Sequence, residues 1–415
     1  MATAETKVTV PIATDATMQE INTTLGKIAT AIEGITISNL AGQTVTLETF
    51  RRYVKAGTAS KYFDIGSRFT VPWTDSVANK TYDIPFIIAH YQDVELQDGS
   101  VVPGAILQTE YLMPRNIQFD QTNAFYYAKE ELPAGTYYIT FGNTWGTKGT
   151  VVAGEFVSFT LTQAVPAGGQ ISGMRYAPDR DKSTWTIRTW TSPSATEYIE
   201  EVTPTFEATG TSLGTLEYTG NDDLWSLYCV AYGYNRWSTS AMRQWLNSDA
   251  AIGEWWTPGN NYARTPDQLT TLPGFMSGFE SDFLNLLTPI KVKTYLNTII
   301  PADKAEDYEE TFDTFFLPSL EAIHCTPYDS ASAGEDSIWP WWKKKSLSDT
   351  PLATYGTWPQ LCMRDLSAQT TTRNMRLRSA RRGYSPNVFY VSPVGLVYNT
   401  SATSAMYPAP ACVIC

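Results

Sequence analysis

Histidine is almost missing from this chain: only His90 and His324 occur in 415 residues. Sites in which an imidazole takes a proton from Ser or Cys are therefore nearly excluded by supply. Charge is scarce too, at 17% of residues, and 30 Lys and Arg face 42 Asp and Glu for a net charge of −12. A phosphate backbone needs a basic face, so nucleic acid is not expected as a partner. The five cysteines, Cys229, Cys325, Cys362, Cys412 and Cys415, are odd in number, and one pair, Cys412 and Cys415, has CxxC spacing. A single such pair with no second pair and no nearby histidine argues against a four-ligand zinc site or a disulfide framework, and reduced, mostly buried thiols are expected. No HExxH, Gly-rich phosphate loop or EF-hand pattern is present, and no metal or cofactor is expected. No apolar run approaches the roughly 20 residues that span a bilayer. Residues Met1 to Glu5 have neither a basic nor an apolar leader region, so neither a secretory signal nor membrane insertion is expected.

Aromatic residues are abundant instead: 13% of the chain, including 13 Trp and 24 Tyr. They favour strands and flat contact surfaces. At 43% hydrophobic residues the chain is globular, and its length calls for two or three domains. Three are expected. Residues 1–41 form an N-terminal arm with an oligomerising helix, 42–215 an all-β sandwich or jelly-roll domain, and 216–415 a C-terminal α+β domain. In the first, Met18, Ile21, Leu25, Ile28, Ile32 and Ile35 are spaced 3, 4, 3, 4, 3. That heptad reads as a coiled coil, and isoleucine at its apolar positions favours a trimer over a dimer. In the second, Tyr82–Ile88, Thr136–Phe141 and Glu155–Thr162 read as strands, separated by turns such as Asp98-Gly99-Ser100. A linker is expected where Gly, Ser and Thr cluster at 210–219. In the third, a helix over 240–247 capped by Ser238 or Thr239, a second helix near 279–287, a strand at Phe315-Phe316-Leu317 and a Trp- and Pro-rich loop at 338–342 are expected.

The remaining chemistry is thin. His324 and Cys325 are neighbours whose side chains would diverge on a strand. The acidic pairs Asp222-Asp223, Glu200-Glu201 and Glu309-Glu310 read as solvated faces. Trp237, Trp245, Leu246, Leu377 and Val413 are assigned to the core, and Arg243 and Arg378 to structural ion pairs. Between Trp341 and Arg382 nine basic residues (Lys343, Lys344, Lys345, Arg364, Arg373, Arg376, Arg378, Arg381, Arg382) stand against Asp349 and Asp365. They form either a solvated, internally paired rim or a patch for an anionic ligand. The last forty residues are rich in Tyr, Asn, Ser and Arg, the composition of a recognition surface. The candidate ligand-binding residues are Arg381, Arg382, Tyr384, Asn387, Tyr390, Tyr398, Asn399, Ser401, Thr403 and Ser404.

The stretch Tyr234-Asn235-Arg236-Trp237-Ser238-Thr239-Ser240-Ala241-Met242-Arg243-Gln244-Trp245-Leu246-Asn247-Ser248 resembles the signature of a family carried by phages and prophages of gut bacteria. Gly274-Phe275-Met276, Asp282-Phe283-Leu284, Phe315 to Glu321, Leu377-Arg378-Ser379 and Ala409 to Ile414 follow in that family's order, and the resemblance covers roughly residues 45 to 415. The chain departs from it at Met375 and Ala380, where the family usually carries Trp and Pro. The resemblance implies a C-terminal domain similar to the C-type-lectin and formylglycine-generating-enzyme folds, which also carries variable ligand-binding proteins of phages. The enzymatic branch needs a close cysteine pair for copper, whereas Cys362 and Cys412 lie far apart in sequence. The expectation is therefore a virion structural protein, a fibre or capsid decoration, whose tip binds a host-surface glycan or protein. Its other partners would be virion proteins and further copies of itself, assembled in the host cytoplasm. A connector that contacts only neighbouring virion proteins and, more remotely, a polysaccharide-degrading enzyme are the alternatives.

Overall fold

The computed structural model describes residues 36–39, 42–121, 126–128, 130–141, 153–167, 169–172, 182–184, 186–191, 197–216, 235–258, 265–296, 308–328, 333–381 and 387–415. The expected oligomerising heptad from Met18 to Ile35, Cys229, Asp222-Asp223, Arg382 and Tyr384 lie outside them. The described chain is mostly β-sheet, with four short α-helices.

It opens with β1 (Thr36–Ser38), β2 (Thr44–Thr46), helix α1 (Leu47–Lys55), β3 (Arg68–Asp75), β4 (Lys80–Glu95) and β5 (Val101–Thr109). Thr46 caps α1, its hydroxyl accepting the Thr49 N–H at 3.2 Å. β3 alternates exposed and buried residues along its whole length, a half-buried strand with period two. The β4–β5 hairpin turns at Gly99 (φ +81), where Asp98 accepts the Ser100 N–H at 2.9 Å.

The second group is β6 (Tyr126–Tyr127), β7 (Gly135–Phe141), β8 (Phe156–Leu161), β9 (Gln170–Ser172), β10 (Ile187–Trp190), β11 (Glu200–Val202) and β12 (Thr211–Leu216). These form a four-stranded sheet, β11-β10-β9-β6, and a three-stranded sheet, β12-β7-β8. Ile139, Phe141, Val157, Phe159, Leu161, Ile187 and Leu213 fill a core of their own. The expected linker at 210–219 is largely β12, which pairs in parallel with β7. Gly210 lets it approach: it has φ +91, and a Cβ there would lie 2.0 Å from the Thr136 carbonyl oxygen.

The third group is α2 (Ala241–Leu246), α3 (Ser281–Leu284), β13 (Ile290–Tyr295), β14 (Tyr308–Asp313), β15 (Phe315–Phe316), α4 (Pro340–Ser346), β16 (Met363–Arg364), β17 (Thr372–Arg373), β18 (Met375–Ala380), β19 (Asn387–Val391), β20 (Val397–Ser401) and β21 (Ala411–Ile414). The cap of α2 is Ser240, whose hydroxyl accepts the Arg243 N–H at 3.1 Å, rather than Ser238 or Thr239. The second expected helix shrinks to the single turn α3. The Trp- and Pro-rich loop enters a helix, α4, with Pro340 in its first turn, where the missing N–H costs nothing.

The expected division at 215/216 does not divide the core. β21 pairs with β5 and with β15, so one seven-stranded sheet runs β15-β21-β5-β4-β3-β1-β2. Residues 37–119 and 237–415 share one hydrophobic core, and the strands β6–β12 are inserted between them in sequence. A run of rings joins the two stretches: Trp73, Trp245, Phe279 and Phe315 each lie 5.1 to 5.8 Å from Phe275. Trp237, Trp245, Leu246, Leu377 and Val413 are all buried, as expected. Five buried indole N–H groups find partners in Phe275, Asp313, Pro273, Leu272 and Gln108, which helps so many tryptophans sit inside.

Since β21 lies between β5 and β15, truncation after Pro410 should abolish cooperative unfolding. Circular-dichroism melting checks this; a truncated chain that melts cooperatively near the full-length temperature would overturn the central placement of β21.

Candidate functional site

The sheet β18-β19-β20 carries most of the expected binding residues. Its foundation is β18, buried along its whole length. Arg376 and Arg378 stand two residues apart on it with 0% exposure. Arg376 donates to the carbonyls of Val388 (3.2 Å), Ser401 (3.2 Å) and Ser404 (2.8 Å). Among the described residues no carboxylate lies within ion-pairing distance of it, and burial pushes its pKa down to about 9. Arg378 donates to the carbonyls of Leu317 (2.7 Å), Lys293 (3.2 Å) and Glu335 (3.2 Å) and pairs with Asp336 at 2.6 Å. The Asp336 loop is held in turn by Glu321, which accepts the N–H groups of Gly334 and Glu335 at 2.7 Å each.

Above this base lies a polar network. Asn399, 4% exposed, accepts from Asn387 Nδ2 at 2.7 Å and from Arg381 Nη1 at 3.4 Å. Its own Nδ2 donates to the Tyr355 hydroxyl oxygen at 2.9 Å. Asn235 Nδ2 donates to the Asn387 carbonyl at 2.9 Å and to the Arg381 carbonyl at 3.3 Å. Tyr355 is the unusual member. It is 40% exposed and has φ +68, a left-handed conformation that disfavours bulky residues. It is pinned at both ends onto β20, by its N–H to the Val397 carbonyl at 3.0 Å and by its hydroxyl to Asn399. Its ring lies 5.2 Å from Tyr398, 6.2 Å from Tyr328 and 6.0 Å from Phe389, and Arg381 lies over Tyr328 at 5.9 Å. Burial raises the Tyr355 phenol above its ordinary value, against the opposing pull of Arg381. The ring therefore stays a neutral hydroxyl at physiological pH. Its oxygen already accepts from Asn399, which leaves the phenol proton to donate. The arrangement presents ring faces, amides and a guanidinium.

The expected binding residues separate accordingly. Arg381, Asn387 and Asn399 meet directly, and Tyr398 joins them through Tyr355. Tyr390 and Tyr398 are cross-strand partners on the same face, opposite to Asn399, but it is Tyr398 whose ring meets Tyr355, at 5.2 Å. Ser401, Thr403 and Ser404 form a turn: the hydroxyls of Ser401 and Thr403 bond at 2.8 Å, and two of its carbonyls hold Arg376. Sequence reasoning missed Tyr328 and Tyr355, which lie outside the Tyr- and Asn-rich tail. It also missed Asn235, quoted within the 234–248 motif but assigned no role.

The basic run dissolves. Arg376 and Arg378 are interior, Arg373 pairs with Asp365 at 3.4 Å, Lys343 pairs with Asp349 at 3.5 Å, and Lys345 donates to the Cys362 carbonyl at 3.2 Å. The acidic pairs split as well. Glu200 accepts the N–H groups of Thr162 and Gln163, while Glu201 pairs with Arg188. Glu309 accepts from Ser238, and Glu310 pairs with Lys291 at 3.0 Å. Arg243 pairs with Asp313 at 2.6 Å, as expected of a structural pair. His324 is fully buried in a turn at φ +64, with Nδ1 2.7 Å from Ser346 Oγ. It does not lie on a strand.

Residues 225–414 match a family model described as a domain of unknown function (DUF6273). No curated protein and no solved structure matches the chain. The matched span holds the whole of this site, but β5, the strand that pairs with β21, lies outside it.

Two outcomes follow. Arg376→Met strands three carbonyls and should cost about 3 kcal/mol, and Arg376→Lys should recover little of it because one ammonium cannot reproduce the fork; denaturant titration checks both. Burial pushes Glu335, which accepts from Tyr295 N and Ser379 Oγ, up to about 7 from 4.5. The folded chain then holds a proton that the unfolded chain releases between those values. The resulting stability is full below about pH 4.5 and lost as pH rises through about 7. Glu335→Gln should flatten this part of the dependence of melting temperature on pH.

Proposed function

We propose that this chain is a bacteriophage virion structural protein, a tail or head fibre or a capsid decoration, whose C-terminal unit binds a host-surface ligand. The observation that carries the reading is Tyr355. A large ring held half-exposed in a left-handed backbone costs about 1 to 3 kcal/mol, and the buried Asn399 and its neighbours serve to hold it there. Such strain gathers where a surface must be presented in one geometry. Tyrosine rings and amides supply rigid contact area and adaptable hydrogen bonds at low entropic cost. The resemblance of the 234–248 motif and the C-terminal segments to phage proteins supports the virion setting and a C-type-lectin-like scaffold. In this reading the heptad of residues 18–35 joins copies into a trimer.

Tyr355→Asn keeps a residue that tolerates the left-handed turn and removes the ring; Tyr398→Ala removes its neighbour. Each should weaken adsorption of the purified chain to host cells by about tenfold while leaving the melting temperature near that of the unchanged protein. Adsorption unaltered by both, together with a virion reconstruction in which neighbouring proteins cover this surface, would replace the binding role with that of a connector.

A further inference from the structure

A second site lies in the inserted strands, independent of the tyrosine surface. The segment that follows β11 turns back along β7 and β8 and leaves a groove of about 610 Å³, within the range of small-molecule sites. Its walls are fixed from within. Ser158, 2% exposed, exchanges backbone hydrogen bonds with Thr205 at 2.7 and 2.8 Å. Its hydroxyl bonds the Glu207 carbonyl and accepts the Thr209 N–H at 3.1 Å. Gly210, which alone allows the close approach to Thr136, seats the end of the segment.

The lining is dominated by hydroxyls. Thr136, Thr160, Thr203, Thr205 and Thr209 border the groove, and Thr136 and Thr160 already bond each other at 2.9 Å. The ring of Phe206 adds apolar surface, while that of Phe159 is buried in the core beneath. Among the described residues Glu207 is the one charged residue in the lining. The cation that touches Phe206, Lys182 at 5.2 Å from the ring, is paired with Glu155 at 2.5 Å. Among the described lining residues a phosphate or carboxylate ligand would meet no cation and one carboxylate. A purely apolar ligand would leave the threonine hydroxyls without partners. Each threonine hydroxyl is at once a donor and an acceptor, which is also the pattern of a sugar hydroxyl, and the C–H faces of a sugar ring suit phenyl surface.

We infer that the groove between β7–β8 and residues 202–209 is a binding site for a neutral saccharide. The full chain, labelled at threonine methyls, is titrated with cellobiose and N,N′-diacetylchitobiose, with inorganic phosphate as the anionic control. At least one disaccharide should shift the methyls of Thr136, Thr160, Thr203, Thr205 and Thr209, with a Kd on the order of 1 mM. Thr160→Val and Thr203→Val, both exposed positions, should each weaken that binding about fivefold without changing the melting temperature. Tyr355→Asn should leave the shifts untouched, which separates this site from the tyrosine surface. No shift with either disaccharide, shifts that survive both valine variants, or a response to phosphate instead would overturn the proposal.

Discussion

Arg376 and Arg378 place two guanidinium groups inside the protein with no exposure, and the surrounding chain supplies carbonyls to their terminal nitrogens. A buried guanidinium is costly unless its donors are used. Arg376 takes carbonyls from β19, β20 and the turn after β20; Arg378 takes them from β13, the residue after β15 and the Glu335 loop. Elements far apart in sequence are therefore fixed to one strand. The Tyr355 surface inherits its geometry from this base, because Val397 and Asn399, which pin Tyr355, belong to a strand that Arg376 anchors.

The second constraint is the shared sheet. β21 lies between β5 and β15, so the C-terminal segment cannot complete its core without strands that precede the inserted group. The family match begins at residue 225, but the hydrophobic core that includes it begins at Ile37. The rings around Phe275 make this physical: Trp73 comes from β3, Trp245 from α2 and Phe315 from β15.

Several features were legible from residue types alone. The strands at Tyr82–Ile88, Thr136–Phe141 and Glu155–Thr162 announced themselves through aromatic and β-branched runs between turn signals. The helix at 241–246 did so through its one apolar face, although its cap is Ser240 rather than Ser238 or Thr239, and the core tryptophans through their setting. Three of the expected binding residues, Arg381, Asn387 and Asn399, do meet. Tyr355 and Tyr328 were not legible, because they reach the site from loops more than forty residues upstream of β20. Nor could it be told that Tyr390 and Tyr398 share the face opposite to Asn399, since neighbouring positions on a strand face opposite ways and only the register says which residues lie together. The basic run left two readings open for a related reason: charge in sequence does not reveal whether an arginine meets water, a carboxylate or a ring of carbonyls.

Composition and local pattern by themselves determined that this is a β-rich chain with tryptophans in its core. These follow from short-range physics, namely side-chain volume, alternation and capping. The tertiary structure alone decided that the last strand pairs with β5, that two arginines of the basic run lie in the interior, and that a strained tyrosine stands at the centre of the candidate surface. Each of these depends on contacts between residues dozens to hundreds of positions apart. Such contacts are set by how hydrophobic faces and unsatisfied polar groups find partners across the whole fold, and no local window of sequence contains that information.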